Sequence, residues 1–174
     1  MKSIATLIFM FIVILSFGQK VNSSENEINF IESKNSLVEL LKQFEDHNVL
    51  LEIWSVNCGS CIKQFKFRKE LHDFFESKGI ITIYLCVGNV MSNLETWKTL
   101  IHENHLKGYH AFTSSRFIED YKIGFRLKED DLIPLGHNYP YYVLIKKGGT
   151  EIRKMKCLPS ETDQFMEQIS NFIN

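Results

Sequence analysis

Two stretches, "VLLEIWSV" at 49–56 and "IITIYLCV" at 80–87, set the terms on which this chain can fold. Each is nearly continuous in apolar and β-branched residues instead of alternating with polar ones, the pattern of a strand buried on both faces. Such strands need cover above and below. The sequence between them supplies some of it: from Cys61 onward, Ile62, Phe65, Leu71, Phe74 and Phe75 form the inner face of a predicted helix. Lys63, Lys66, Lys69 and Glu70 form its outer face, and Gly79 stops it.

The remaining segments extend this alternation. "INFI" at 28–31 is a short edge strand, and "SLVELLKQFEDHN" carries a helical stripe at 37, 38, 40, 41 and 44, with Ser36 or Asn35 as N-cap. "NLETWKTLIHENH" (93–105) is helical, "YHAF" a short strand and "SRFIEDYKI" (115–123) a short helix. An irregular segment leads to the strand "YYVLI" (141–145), and "KKGG" turns into "TEIRKMKC" (150–157) as its hairpin partner. "PSETDQFMEQISNFI", opened by Ser160 and Glu161, closes the chain as an amphipathic helix. The predicted fold is α/β: a mixed β-sheet flanked by helices on both faces, in one domain over 28–174. With 174 residues, 44% of them hydrophobic, the chain can bury a core of that size.

The first residues differ in kind. Lys2 precedes the uncharged run "IATLIFMFIVIL", and Ser16 and Gly18 are small residues before Gln19, the pattern of a signal peptide over 1–18 cleaved after Gly18. The run is shorter than the ~20 residues a spanning helix needs, which disfavours an uncleaved membrane anchor. Lipoprotein processing would need a cysteine at the cleavage point, and the first cysteine is Cys58. "QKVNSSENE" (19–27) reads as a flexible leader. A periplasmic or secreted domain is expected, where disulfides persist. A net charge of -1 gives no reason to expect nucleic acid or an anionic membrane surface as partner.

Cys58-Gly59-Ser60-Cys61 falls at the strand-to-helix junction, with Asn57 expected to cap the helix. There the first thiol meets the helix's unsatisfied N–H groups and positive dipole end, both of which favour the thiolate. Cys58 is thus the candidate nucleophile, and Cys61, one turn on and more buried, the candidate to resolve a mixed disulfide. Two other readings stay open. A structural zinc site wants four ligands and no second CxxC exists, so two of the six histidines would have to join the pair. A passive disulfide closing so short a loop restrains the unfolded chain weakly. Glu52 shares a strand face with Trp54, and an ionisable group inside "VLLEIWSV" is costly unless paired or protonated. Burial should raise its pKa and suit it to accept a proton from Cys61.

"EIWSVNCGSC", followed much later by "NYPYYVLIKKGG", resembles the thioredoxin superfamily. The secretion signal and the extra helical segment after the third core strand make it most similar to TlpA/ResA-like extracytoplasmic thiol-disulfide oxidoreductases. The resemblance runs from about Ile28 to the C-terminus and rests on Trp54, the CxxC, Pro140 and the Lys-Gly-Gly hairpin. It implies a thioredoxin fold with a TlpA/ResA-like insertion after the third core strand. It implies catalytic Cys58, Cys61 and Glu52, and a substrate site shaped by Pro140, Tyr139 and Trp54, with Pro140 matching the family's cis-proline. The bland alternative for Pro140 is a trans proline opening an edge strand. The implied activity is exchange of electrons with protein thiols and disulfides, in the reductase direction, by a monomer fed by a membrane thiol donor. No organic cofactor or metal is needed, because the cysteine pair carries the electrons.

This chain departs from the family's pattern at Asn57, where an aromatic is usual, and at Ser60, where the commonest motif has proline. Asn89 stands where some members carry an active-site glutamate. Cys86 and Cys157 are expected to be free core thiols, two strands apart in the resembled sheet. His102 and His105 are expected on a solvated helix face with His110 nearby, and Lys63, Lys66, Arg68 and Lys69 on another. The segment 124–138 is longer than relatives need and is expected to contribute to partner recognition. A second function from a different class is a metallochaperone module in which Cys58, Cys61 and His137 hold a soft metal such as Cu(I).

Overall fold

The computed structural model describes residues 27–32, 36–114, 139–149 and 151–174. The elements are β1 (Ile28–Phe30), α1 (Leu37–Lys42), β2 (Asn48–Trp54), α2 (Gly59–Phe65), α3 (Arg68–Ser77), β3 (Ile80–Val87), α4 (Val90–Glu103), β4 (Gly108–Thr113), β5 (Tyr141–Ile145), β6 (Ile152–Lys154) and α5 (Thr162–Ile173). The strands form one sheet in the order β1-β4-β3-β2-β5-β6. Pairing is parallel from β1 to β2 and antiparallel from β2 to β6, so the sheet is mixed, as the alternation of strands and helices predicts.

The two apolar runs lie side by side at the centre, from Asn48 opposite Ile80 to Trp54 opposite Cys86. Their side chains alternate between two cores. Val49, Leu51, Ile53, Ile81, Ile83 and Leu85 face Leu37, Leu40, Leu41 and Phe44 from α1 and the turn after it. On the opposite face, Leu50 and Leu144 meet Leu71 and Phe75 of α3 and Phe165, Ile169 and Phe172 of α5. Beside them, Trp54, Tyr84, Cys86 and Phe112 meet Cys61 and Phe65 of α2 and Trp97 and Ile101 of α4. Each such side chain contributes roughly 1.5–3 kcal/mol through burial, so these layers dominate the stability of the fold.

The single helix predicted after the cysteines is two. α2 ends at Phe65 and α3 starts at Arg68, with the Phe67 N–H bonded to the Gln64 carbonyl at 3.1 Å in a tightened turn. No proline causes the break. It lets α2 pack on one part of the face and α3 on the other, and Arg68 stays on the inward side, in helical period with Cys61 and Phe65. The extra segment after the third strand is α4 together with β4, and β4 is inserted between β3 and β1. β4 opens on Gly108 at φ 132°, where a Cβ would stand 2.6 Å from the Thr82 carbonyl oxygen, so only glycine allows this close approach. The last hairpin turns on Gly148 and Gly149, both at positive φ, and β6 spans only 152–154 of the predicted 150–157.

The predicted signal peptide (1–18), the leader except Glu27, the helix over 115–123 and the 124–138 segment lie outside the described residues. Among the described residues no helix is long and apolar enough to cross a membrane.

His102 and His105 are exposed, but His110 departs from the expected polar setting. Its ring is fully buried and stacks on Tyr84 with centroids 4.7 Å apart and planes 4° from parallel. Nε2 lies 2.7 Å from the Leu106 carbonyl, and Nδ1 has no partner among the described residues. Burial therefore pushes the imidazolium pKa down to about 4, against the opposing pull of the Leu106 carbonyl. A depressed folded-state pKa stabilises fully above the ordinary 6.5 and loses that contribution as pH falls toward about 4, a loss of about 3 kcal/mol. His110→Phe should flatten the urea-denaturation midpoint across that window. A variant that weakens as steeply as the parent would assign the acid limb to other groups.

Candidate active site

β2 ends at Trp54 and the chain turns through Ser55, Val56 and Asn57, with the Cys58 N–H on the Ser55 carbonyl at 2.9 Å. Cys58, not Asn57, is the N-cap of α2. Its backbone is extended (φ -89°, ψ 93°), its carbonyl accepts the N–H groups of Cys61 and Ile62, and its Sγ accepts the Cys61 N–H at 3.1 Å. Asn57 is one residue too early for that geometry and stays exposed. Cys58 and Cys61 are joined in a disulfide, with Cα atoms 5.3 Å apart. Cys58 is partly exposed and Cys61 fully buried, so the first sulfur is the accessible one.

Across from the pair, the Tyr139–Pro140 peptide bond is cis and leads into β5, which pairs with β2. Ser60 joins the two segments: its Oγ donates to the Tyr139 carbonyl at 3.0 Å and lies 3.2 Å from Cys58 Sγ. Thus Cys58, Cys61, Tyr139 and Pro140 gather at the C-terminal end of β2. Trp54 does not belong with the substrate-contacting residues. It is fully buried, packed edge-on against Phe65 at 5.0 Å in the cluster that holds Cys61, and it offers no surface to a peptide.

Glu52 is fully buried in the middle of β2. It stands opposite Tyr84 of β3 and Tyr142 of β5, and Tyr84 stands opposite His110 of β4, so four ionisable residues form a row across the sheet. The Tyr142 hydroxyl donates to Glu52 Oε1 at 3.0 Å and Arg68 Nη2 donates to Oε2. Burial pushes the Glu52 carboxyl above its ordinary range, while Arg68 and Tyr142 pull it back. Burial works against the Arg68 charge, but the carboxylate beside it holds the guanidinium firmly protonated. Arg68 is the residue that sequence reasoning misplaced, on a solvated face. It is buried beneath Phe75 and against the rings of Tyr84 and Tyr142, at 5.6 and 5.1 Å. The available signal was Glu52 itself, since a carboxylate within a central strand requires a cation nearby.

Cys86 and Cys157 are free and buried, with β2 and β5 between the strands that carry or precede them. Burial pushes the Cys86 thiol up to about 12 despite a hydrogen bond to the Val56 backbone, and its place is the core behind Cys61. Asn89 caps α4 by accepting the Met91 N–H at 3.0 Å. Among the described residues no three His, Cys, Asp or Glu side chains gather as a metal site; His137 lies outside them.

No protein-family model and no curated protein matches this chain. Solved structures do. The thioredoxin domain of a thiol-disulfide oxidoreductase from Bacteroides vulgatus superposes with a TM-score of 0.56 at 17% identity, covering 77% of this chain and 84% of that one. The fold is that of thioredoxin. A thiol:disulfide interchange protein from Bacteroides sp. matches the same thioredoxin fold at TM-score 0.53 and 19% identity, over 77% of this chain and 78% of its own. A thioredoxin-family thiol:disulfide interchange protein from Chlorobium tepidum matches at 0.54 and 10% identity, over 74% and 83%. In this thioredoxin fold the cysteine pair and Pro140 approach each other because β2 and β5 are neighbours.

The buried pair makes a quantitative prediction. Arg68→Met leaves Glu52 buried with Tyr142 alone and should destabilise the oxidised protein by about 3–5 kcal/mol. Adding Glu52→Gln should recover a substantial part, read as a positive coupling in a double-mutant cycle by urea denaturation. The sign with pH follows from the raised carboxyl: its contribution is full below the ordinary value of 4.5 and is lost as pH rises through the folded-state value. Losing Arg68 extends that loss to higher pH, and Glu52→Gln abolishes it. Strict additivity of the two substitutions would refute the pairing.

Proposed function

We propose that this protein is a thiol-disulfide oxidoreductase that acts outside the cytoplasm, as a reductase of protein disulfides, through Cys58 and Cys61. The observation that carries the reading is the arrangement at the end of β2. An accessible sulfur caps a helix, a buried sulfur lies one turn on, and the Tyr139 carbonyl faces them beside Pro140. The names of the structural neighbours support it, since they are described as thiol-disulfide oxidoreductases or interchange proteins. The signal-like pattern over 1–18 supports the location.

In the forward direction the Cys58 thiolate attacks one sulfur of the substrate disulfide. A Cys58–substrate bond forms, the substrate S–S bond breaks, and the first substrate sulfur leaves as a thiolate. Cys61, after losing its proton, attacks Cys58 Sγ; the internal disulfide closes and the second substrate sulfur leaves. Two electrons have passed to the substrate, whose thiolates take up protons. An external dithiol, in this reading a membrane thiol donor, must then reduce the Cys58–Cys61 pair. No organic cofactor enters. The Cys61 N–H on Cys58 Sγ is already aimed at the sulfur that must carry negative charge.

The wild-type protein should accelerate reduction of insulin by dithiothreitol, and Cys58→Ser should fall to the uncatalysed rate. Cys61→Ala should instead accumulate an adduct through Cys58, visible as a mixed-disulfide mass. In a glutathione redox mixture the wild-type pair should rest oxidised, as a reductant's does. Failure to accelerate and failure to form the adduct would together overturn the reading; a pair that rests reduced would overturn its direction.

A further inference from the structure

Ser60 has one hydroxyl proton and two acceptors within reach. Its Oγ is 3.0 Å from the Tyr139 carbonyl oxygen and 3.2 Å from Cys58 Sγ. In the disulfide, that sulfur carries no proton and no charge and is a weak acceptor, so the proton goes to the carbonyl. A Cys58 thiolate is a charged acceptor, and a charge-assisted hydrogen bond is roughly twice as strong as a neutral one. Rotation about the Cβ–Oγ bond redirects the proton without moving the backbone. Ser60 is exposed, so packing does not oppose the rotation.

We propose that Ser60 is a redox-responsive catalytic hydroxyl, which occupies the Tyr139 carbonyl while Cys58 and Cys61 are joined and turns to Cys58 when that sulfur becomes a thiolate. The proposal rests on the oxidoreductase reading and adds to it a control of substrate docking. An extended peptide that carries a disulfide needs partners for its own backbone N–H groups, and the Tyr139 carbonyl is one such acceptor beside the reactive sulfur. In the oxidised protein Ser60 covers that acceptor. Ionisation of Cys58 uncovers it, so the attacking species and the open docking site arise together. After the disulfide closes again, the hydroxyl returns to the carbonyl and competes with the product peptide, which favours its release. No bond other than hydrogen bonds changes in this step, and the electrons follow the exchange already described.

Titratable side chains packed into the same cluster are Cys61 of α2, Tyr84 and Cys86 of β3 and Tyr139 itself, and burial lifts the Tyr84 phenol so that it stays neutral. Burial lifts the Cys86 thiol to about 12 and the Tyr139 phenol above its ordinary value, so both remain neutral while Cys58 ionises. Cys61→Ala removes the remaining thiol from the titration.

The chain contains a single Tyr-Pro bond, so carbonyl-¹³C tyrosine with ¹⁵N proline marks the Tyr139 carbonyl alone. In reduced Cys61→Ala protein its carbon shift should step with pH at the same midpoint as the Cys58 thiolate absorbance. In oxidised wild-type protein it should show no such step. Ser60→Ala in the Cys61→Ala background should abolish the step and leave about tenfold less thiolate at a given pH, one unit of Cys58 pKa. Ser60→Thr, which keeps the hydroxyl, should restore both. A step that survives Ser60→Ala, or a carbonyl shift indifferent to Cys58 ionisation, overturns the proposal. Insulin reduction by the wild-type protein separates the two readings: absent turnover with an intact carbonyl step removes the oxidoreductase assignment, whereas normal turnover without the step removes only the role of Ser60.

Discussion

A carboxylate inside the central strand of a sheet cannot stand alone, and much of this molecule is arranged around that fact. Glu52 has no exposure, and an ion so placed is tolerable only with an opposite charge and a hydrogen bond for each remaining lone pair. Arg68 supplies the charge and Tyr142 the second hydrogen bond. Arg68 reaches that position because it lies three residues after Phe65 and seven after Cys61, on the inner face of the helical run. The same run carries the short α2, with Cys58 at its start and Phe65 against Trp54 at its end. The buried pair and the partly exposed cysteine are therefore carried by one helical run.

The same face of the sheet separates two kinds of work. Its middle holds the row His110, Tyr84, Glu52 and Tyr142, every member buried and held away from ordinary titration by that burial. Its end holds groups that can change state: the Cys58 sulfur, the Ser60 hydroxyl and the Tyr139 carbonyl. Burial makes the first set rigid and specific, at the risk of large penalties when one member is lost. Partial exposure lets the second set exchange partners at little expense.

What the chain revealed before any coordinates follows the same division. β2 and β3 were legible because unbroken apolar runs have few alternatives, and the faces of α1 and α5 because their apolar residues keep a helical period. The Cys58–Cys61 pair stood out because its spacing fits one turn of helix. Arg68 was grouped with its basic neighbours Lys66 and Lys69, which are exposed, although the helical period places it with Cys61, Phe65 and Phe75 on the inner face. What stayed hidden was the pairing, since Glu52 lies 16 residues away on a strand and meets Arg68 only through packing. His110 was hidden for a similar reason: its environment comes from Phe30 and Tyr84, which are distant in sequence and meet it through strand pairing. Asn57 was favoured as cap by residue type, yet the cap is decided by which backbone is extended at the helix start, and that residue is Cys58. The contact from Ser60 to Tyr139 spans 79 positions and had no sequence signature at all.

Pairing also constrains how Glu52 can titrate. Burial favours the neutral carboxyl and Arg68 favours the ionised one, so the two tendencies oppose each other at a single group. A proton on Glu52 would relieve the first and leave the guanidinium of Arg68 in a site where its other nitrogens already lack hydrogen-bond partners among the described residues. The rings of Tyr84 and Tyr142 lie against that guanidinium and offer it a weaker refuge through their π faces. Burial is the larger of the two tendencies, so Glu52 holds its proton to higher pH than an ordinary carboxyl does.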